Sequence, residues 1–336
     1  MLMQTRPRQL IKICLIFSIL WSTSALAAED TEHHTGMLSM VLENDMFYQS
    51  DSNYSSGLSV IWVPTENGVP GWAQTIADRV PWFDTTGEIR HGYAFGQTMY
   101  TAKDITLENP PLDDRPYAGF LYASIGMAIS TGQQLDQLSL TLGVVGPMSG
   151  AEHSQKIIHR IVGSEEPMGW GTQIHNEAGA ILTYQRSWRA LKTSNFIGNE
   201  VEITPHFGGA LGNIYTYLNT GLTLRYGEHL PLDYGPPRIQ PSIQGSGFFA
   251  AKQPFNWYLF AGIEVRAVGR NIFLDGNTFR DSRSVDREPW VGDFQWGAVL
   301  TFETFRLSYT HVSRSKEFEG GAESHQFGAL SLTMLF

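Results

Sequence analysis

Apolar and polar residues alternate along most of the chain. Near the C-terminus every second side chain is large and apolar: Leu330, Leu332, Met334 and Phe336. Because successive side chains of a strand point to opposite faces, this period of two predicts a strand with one apolar face. The same alternation predicts strands at 37–46, 55–63, 92–100, 116–130, 135–146, 177–190, 199–210, 214–227, 257–270, 291–302, 305–313 and 325–336.

Three features indicate that the apolar faces meet a membrane. Several segments exceed about ten residues, the length that a tilted membrane strand needs. Aromatic residues gather near the segment ends, as in the girdles of membrane barrels: Trp62, Tyr117, Tyr122, Tyr184, Trp188, Tyr226, Trp257, Tyr258, Trp290 and Trp296. The chain ends on Phe336, which is typical of the terminal strand that the barrel assembly machinery reads. We therefore predict an all-β fold, a transmembrane antiparallel β-barrel of about 12 strands, in the outer membrane of a Gram-negative bacterium.

An even strand number also decides which connections are extracellular and which are periplasmic. A weak strand pattern at 242–250 would make the number odd, and bacterial barrels have even numbers. We assign that pattern to a long connection, because it contains two glycines and follows three prolines. With both termini in the periplasm, the segments 47–54, 101–115, 147–176, 271–290 and 314–324 become extracellular loops. The predicted periplasmic turns are 131–134, 191–198 and 303–304, whereas the connections 64–91 and 228–256 are longer than such turns usually are.

Residues 1–27 predict a cleaved secretory signal peptide. Three basic residues precede a short apolar run at 13–21, and small residues follow up to Ala27. The run is too short to span a bilayer as a helix. We expect residues 28–336 to form a single barrel domain, and this domain has no thiol because the only cysteine is Cys14.

The charge balance excludes one class of partner and favours another. The leader holds three of the 23 basic residues, so the remaining chain carries 20 basic against 33 acidic residues, a formal charge of −13 instead of −10. Nucleic acid is not an expected partner, since phosphate binding needs clustered Lys and Arg. Carboxylates suit divalent cations better.

Two polar clusters fall on the predicted outer rim. Glu43, Asn44 and Asp45 end the first strand, and their oxygens suit a hard divalent ion, although such residues also form hairpin turns. Lys103 and Arg115 lie in the next extracellular loop. Their cations could face a phosphate or a developing oxyanion, or they could form rim salt bridges worth little energy.

A third polar cluster belongs to a helix that we predict within the extracellular loop, at 149–162. Its apolar face consists of Ile157, Ile158, Ile161 and Val162. Another face carries Glu152, Gln155 and His159, at spacings of three and four. Glu165 follows beyond Gly163, from where it could fold back to the imidazole. A histidine oriented by a carboxylate is a general base that can activate water, and the alternative is a solvated histidine.

In combination these segments resemble the LpxR family of outer-membrane lipid A 3′-O-deacylases, over nearly the whole chain after the leader. The segments that carry the resemblance are 43–47, 113–119, 143–147 with Gln155 and His159, 166–170, and 207–225. Gly171 departs from the pattern, because an acidic residue is expected there.

The resemblance implies a twelve-stranded barrel with a Ca²⁺-dependent site between the wall and a loop helix, near the outer leaflet. Asn44, His159 and Glu165 match its catalytic groups, and Asp45 matches the metal-binding position. Lys103 corresponds to a family lysine that would contact the substrate, and we assign Arg115 the same task.

The resulting expectation is a carboxylic ester hydrolase that acts on the lipid A of lipopolysaccharide. It would release the 3′ acyloxyacyl chain with water activated by His159 and an ester carbonyl polarised by Ca²⁺. Two alternatives remain at this stage: a non-catalytic pore or binding barrel, and a phospholipase on the same scaffold. No protein partner is implied beyond the barrel assembly machinery.

Overall fold

The structure is a computed structural model and describes residues 36–45, 53–64, 68–189, 191–231, 233 and 254–336. In chain order its strands and helices are β1 (Gly36–Asn44), β2 (Asn53–Pro64), α1 (Gly71–Arg79), β3 (Glu88–Thr101), β4 (Ala118–Ser130), β5 (Gln134–Val145), α2 (Ala151–Val162), β6 (Glu177–Trp188), β7 (Leu191–Phe196), β8 (Asn199–Gly212), β9 (Tyr215–Gly227), β10 (Phe255–Asn271), α3 (Ile272–Asp275), β11 (Trp290–Phe302), β12 (Phe305–Ser315) and β13 (Ser324–Leu335). Within the loop between β5 and β6, α2 is preceded by the 3₁₀ turn Pro147–Ser149 and followed by the 3₁₀ turn Gly169–Thr172.

The strands form one closed antiparallel ring. Neighbours in sequence pair with each other, and β1 pairs with β13. β6 and β7 lie one after the other along β8, so the thirteen strand segments fill twelve positions. The predicted transmembrane barrel of twelve strands is confirmed.

Most predicted strand boundaries agree with the structure, and one predicted periplasmic turn was wrong. Residues 191–196 form β7 rather than part of a periplasmic turn, which shortens that turn to Ile197 and Gly198. The loop helix is confirmed as α2. The predicted signal peptide and the demoted strand at 242–250 lie outside the described residues.

The ladder register divides every strand into a lumenal and an outward face. Hydroxyl pairs between neighbouring strands mark the lumenal face, as in Ser39 with Thr333 at 2.8 Å and Ser124 with Thr141 at 2.7 Å. The alternate positions carry exposed apolar side chains, among them Leu58, Phe95, Leu142, Leu182, Leu218, Leu259, Ile263 and Trp296. Soluble monomers rarely expose so large an apolar surface, and a transmembrane barrel turns it to lipid.

The aromatic side chains divide between the two faces differently from the prediction. Trp62, Trp290 and Trp296 are exposed, as girdle residues should be. Tyr117, Tyr122 and Tyr258 are buried inside the protein. The sequence pattern grouped all of them near strand ends, but only the register shows which face each one occupies.

At its extracellular end the described lumen is plugged by α3. Ile272, Phe273 and Leu274 are buried there. The ring of Phe273 stacks on Tyr100 with the centroids 4.1 Å apart, and the Tyr100 hydroxyl lies 2.9 Å from the Tyr215 hydroxyl. Beneath this plug a cavity of about 60 Å³ remains, lined by both polar and apolar side chains.

A buried ion network lies at the periplasmic end of the lumen. Arg225 pairs with both Glu202 and Asp233, and Arg306 also pairs with Asp233. The Tyr258 hydroxyl donates a hydrogen bond of 2.8 Å to Asp233. Asp233 belongs to the connection after β9, and this residue lies inside the barrel.

Among the described residues, no helix has the length and apolar character to cross a membrane.

Candidate active site on the outer rim

The helix α2 packs on the outward face of the wall, at the extracellular end of β3 and β4. Met99 and Gly119 are cross-strand partners, and both point outward, because their neighbours Thr98 and Phe120 point into the lumen. A Cβ atom on Gly119 would lie 2.2 Å from the Ser149 hydroxyl oxygen and 2.3 Å from the Ala151 Cβ. Only a residue without a side chain lets the helix approach the wall so closely.

Two hydrogen bonds and an aromatic cluster hold α2 in this place. The Gln97 side-chain amide donates to the Ser149 carbonyl at 2.6 Å, and the Trp170 indole N–H donates to the Gln155 side chain at 2.8 Å. Trp170 also packs edge-on against Tyr117 with the ring centroids 5.2 Å apart. Neither Trp170 nor Tyr117 was predicted to belong to the site, although both lie in segments that carry the family resemblance, 166–170 and 113–119.

The buried face of α2 is not the apolar face that the sequence pattern predicted. Ala151, Gln155, His159 and Val162 are the residues that α2 buries. Ile157 and Ile161 are 41% and 50% exposed, and Met148 before the helix is also exposed. A helix on the lipid-facing side of a barrel can turn its isoleucines to lipid, which frees its polar face for the wall.

A left-handed glycine at the end of α2 orients His159. Gly163 has a φ of 78°, and the amides of Gly163 and Ser164 both donate to the His159 carbonyl, at 2.8 and 3.0 Å. This cap reverses the chain, so that the Glu165 carbonyl oxygen comes within 2.5 Å of the His159 Nδ1. A carbonyl only accepts, so Nδ1 carries a proton, and in the neutral ring the lone pair belongs to Nε2.

His159 is therefore a buried imidazole, 4% exposed, in the tautomer that a general base requires. Its orientation differs in one detail from the expectation. Glu165 orients the ring through its main-chain carbonyl, whereas we expected its carboxylate to do so, and the Glu165 side chain is exposed. The fold-back of Glu165 beyond Gly163 occurs as expected.

Asn44 belongs to the same outward surface as α2. Asn44 pairs with Ser56, Ser56 with Met99, and Met99 with Gly119, which makes one row across four strands. Directly paired residues share a face, so Asn44 points outward in the row on which α2 lies. Ser56 and Met99 are buried although they point outward.

Asp45 follows directly after this row and is fully buried. Its carboxylate and the Asn44 amide bring two oxygen-bearing side chains to the outer rim. Within the described ranges, no group of three or more His, Asp or Glu side chains has the arrangement of a metal site. The neighbouring residues 46–52 lie outside the described residues.

The two cations of the second cluster have separate environments. Lys103 is exposed on the outer rim, where its amide donates to the Asp114 carboxylate at 2.8 Å. In the same loop, hydrogen bonds from the Thr106 hydroxyl and amide lower the pKa of Asp104. The side chain of Lys103 stays available to an anion from outside.

Arg115, by contrast, points into the mouth of the barrel. It is 1% exposed, donates to Glu317 at 2.6 Å, and lies between the rings of Tyr100 and Phe318. Its charge is thus neutralised on the lumenal side of the wall. The expectation that Arg115 meets a substrate phosphate does not agree with this position.

Together the fold and the site define a transmembrane β-barrel with a plugged outer mouth, a lipid-facing wall and a buried histidine on the outer side of that wall. The family model described as "Outer membrane protein LpxR" matches residues 12–336. The chain therefore belongs to the LpxR family of outer-membrane barrels.

A solved structure of the family has the same fold. LpxR from Salmonella typhimurium is similar with a TM-score of 0.73 and 20% sequence identity, covering 89% of this chain and all of that one (100%). The β domain of the Bordetella autotransporter BrkA has a TM-score of 0.44 and 10% identity, with 90% of this chain and 99% of that chain covered. A comparison with curated proteins found no match.

Proposed function

We propose that the protein is an outer-membrane lipid A 3′-O-deacylase. The observation that carries this proposal is His159, a buried base whose Nδ1 is held by the Glu165 carbonyl on the lipid-facing side of the outer rim. An ester at headgroup depth in the outer leaflet would approach such a site laterally, without entering the lumen. Membership of the LpxR family supports lipid A as the substrate.

In the proposed reaction His159 Nε2 accepts a proton from water while the water oxygen attacks the ester carbonyl carbon. The bond between this carbon and the sugar 3′ oxygen then breaks. The leaving oxygen takes the proton back from His159, so one water is consumed and one acyloxyacyl fatty acid is released. General base catalysis of this kind is worth about 10²–10⁴-fold in rate.

Asn44 and Lys103 would bind the reacting lipid. The Asn44 amide, on the outward row, can donate a hydrogen bond to the oxyanion that develops on the ester. Lys103 is exposed at the same rim and suits a lipid A phosphate. Arg115 is excluded from this task, because Glu317 already neutralises it.

The donor chemistry around Asp45 fits a bound Ca²⁺. Asn44 and Asp45 offer amide and carboxylate oxygens, which hard cations prefer, and the exposed Glu165 carboxylate could add a third donor. Ca²⁺ takes about six to eight oxygens, so water, main-chain carbonyls or substrate would supply the others. When bound, the ion would polarise the ester carbonyl and stabilise the charge that develops on it.

Mass spectrometry of lipid A from cells that express the protein tests the proposed reaction. We expect wild type to remove one acyloxyacyl chain, His159→Ala to leave lipid A intact, and His153→Ala to behave as wild type. His153 is a suitable control because it is an exposed histidine on the same helix. Intact lipid A with wild type and Ca²⁺ present would overturn the proposal, and full activity of His159→Ala would overturn the role of the base.

Calcium binding can be tested without activity. We expect added Ca²⁺ to raise the unfolding temperature of wild-type protein in detergent and to leave that of Asp45→Asn unchanged, since ligands stabilise the state they bind. An equal increase in both proteins would remove Asp45 from the cation site.

The two alternative functions make different predictions. A pore would conduct ions in a planar bilayer. Because α3 plugs the outer mouth of the described lumen and a buried ion network lies at its periplasmic end, we expect no conductance. A phospholipase would release fatty acid from phosphatidylethanolamine vesicles that lack lipid A. Such release, with lipid A left intact, would support the phospholipase instead.

A further inference from the structure

The long connection between β2 and β3 places a second helix, α1, on the outward face of the wall. Ala73 and Ala77 are buried against Met127 and Ile129 of β4. Both β4 residues point outward, since they alternate with lumenal positions such as Ser124. The helix therefore lies on the lipid side of the barrel, at the periplasmic end.

An ion pair fixes the segment that follows α1 to the same surface. Arg186 donates to Asp136 at 2.7 Å, and it also donates to the Trp82 carbonyl at 2.6 Å. Asp136 further accepts a hydrogen bond of 2.6 Å from the Tyr184 hydroxyl. These three side chains share the outward face of β5 and β6. The segment is thus attached to the wall at a defined height.

An arc of aromatic contacts runs from the wall through this segment and back to the wall. On one side Trp72 packs against His91, His91 against Tyr93, and Tyr93 against Trp62, with centroid separations of 6.2, 5.8 and 5.6 Å. This half of the arc joins α1 to the girdle on β2 and β3.

The other half of the arc joins the segment to β6 and β8. Trp82 packs against Tyr184, Tyr184 against Phe207, and Phe207 against Trp188, with centroid separations of 6.2, 6.3 and 5.5 Å. Trp82 is also 57% exposed, and Val69 before the helix is 38% exposed. The arc is therefore continuous with the aromatic girdle of the barrel, and Trp82 is its most exposed member.

We propose that α1 and Trp82 form an interfacial anchor that binds the phospholipid headgroup and glycerol region of the inner leaflet. Aromatic side chains with an apolar ring and a polar N–H prefer that region. The occupant is a lipid surface because the arc continues a girdle that already faces lipid. The anchor lies on the same part of the wall as α2, where it fixes the height of the wall beneath the outer-rim site.

Site-directed spin labelling measures the depth of this segment. The chain has a single cysteine, Cys14, so a Cys14→Ser background lets one introduced cysteine carry the label. We would compare Trp82→Cys with Phe95→Cys, an exposed outward position in mid-strand, and Glu303→Cys in an exposed periplasmic turn. The purified full chain is reconstituted in phosphatidylethanolamine–phosphatidylglycerol vesicles, and collisions with oxygen and with a water-soluble nickel chelate are recorded.

The expected order of the oxygen-to-nickel collision ratio is Phe95 highest, Trp82 intermediate and Glu303 lowest. A label at Trp82 with the same ratio as Glu303 would overturn the proposal, because the segment would then lie in water. If Trp82→Cys does not fold, as judged by heat-modifiable migration in gels, Val69→Cys answers the same question. The measurement is independent of deacylase activity, so the anchor and the proposed function can fail separately.

Discussion

The two ends of the barrel use charged and polar groups in opposite ways. At the periplasmic end Arg225, Arg306, Glu202 and Asp233 neutralise one another inside the lumen, where all four are buried. At the outer end His159 lies outside the wall and binds a main-chain carbonyl instead of a carboxylate. That contact fixes Nδ1, so proton transfer by the neutral ring would use Nε2.

The difference shows how to separate structural from chemical residues in this fold. Charges that are buried and paired with one another cannot change their protonation cheaply, so they hold the barrel together and do little chemistry. A histidine with one fixed nitrogen keeps proton transfer open at the other nitrogen. Substitutions at the two ends should therefore alter different measurements, one stability and the other activity.

The largest expected effect is on catalysis, at His159. His159→Gln should lower the deacylation rate by about 10²–10⁴-fold, because the general base is lost. The unfolding midpoint should change little, because glutamine can still donate to the Glu165 carbonyl. Rates measured on purified lipid A, with His153→Gln as control, check this expectation. A large fall in stability with a small fall in rate would reverse the assignment.

Asp233→Ala should lower the stability of the barrel and leave the deacylation rate unchanged. It leaves Arg225 and Arg306 short of a buried partner, which costs about 3–5 kcal/mol of folding free energy. Urea unfolding in lipid vesicles measures this loss, and the rate per folded molecule should stay near that of wild type. Asp84→Ala, in an exposed turn at the same end, is the matched control. Equal midpoints for the two variants would contradict the structural role.

Glu317 should make the stability of the extracellular mouth of the barrel depend on pH. Burial raises the pKa of Glu317, but the charges of Arg115 and Arg314 outweigh it and lower the pKa from 4.5 to about 2. The carboxylate therefore contributes its stability, about 3 kcal/mol, above pH 4.5 and loses it as the pH falls towards 2.

Unfolding curves between pH 7 and pH 2 test this dependence. Glu317→Gln should be less stable than wild type at pH 7, and the difference should shrink as the pH falls. The exposed Glu319→Gln serves as the control and should follow wild type throughout. A constant difference between Glu317→Gln and wild type at every pH would contradict the lowered pKa.

Gly119→Ala should separate α2 from the wall. The new Cβ would lie 2.2 Å from the Ser149 hydroxyl oxygen, so the helix must move. Displacing the base by about 1 Å is expected to cost about 10²-fold in rate. Gly171→Ala, in the same loop but with open space around it, should keep wild-type activity. Normal activity of Gly119→Ala would show that the close approach is not needed.

The smallest effect is expected at Trp170. Trp170→Phe removes the indole N–H that donates to Gln155 at 2.8 Å, which costs about 1 kcal/mol. The rate should fall only a few-fold, because Phe keeps most of the packing against Tyr117. Trp290→Phe, at an exposed outward position, is the control. A loss as large as that of Gly119→Ala would give Trp170 a direct part in the reaction.

Much of the barrel could be predicted from the alternation alone. Leu330, Leu332 and Met334 have a period of two, and β13 forms there as expected. The pattern could not show that Tyr122 points into the lumen, because a tyrosine near a strand end suits either the aromatic girdle or the barrel interior. It identified an apolar face on α2 but not the face that packs on the wall, and Ile157 and Ile161 are exposed beside lipid instead of packing on protein.

For the site, the sequence by itself determined which groups are present. A histidine within a helix that ends at glycine, with Glu165 two residues after that glycine, follows from local propensities and from the need to cap the helix. Tertiary structure alone decided their use. The register sends Asn44 outward and the loop turns Arg115 inward to Glu317, because cross-strand pairing and ion pairing join residues far apart in sequence. The Gly119 contact fixes α2 on the lipid side, and no local pattern contains that contact.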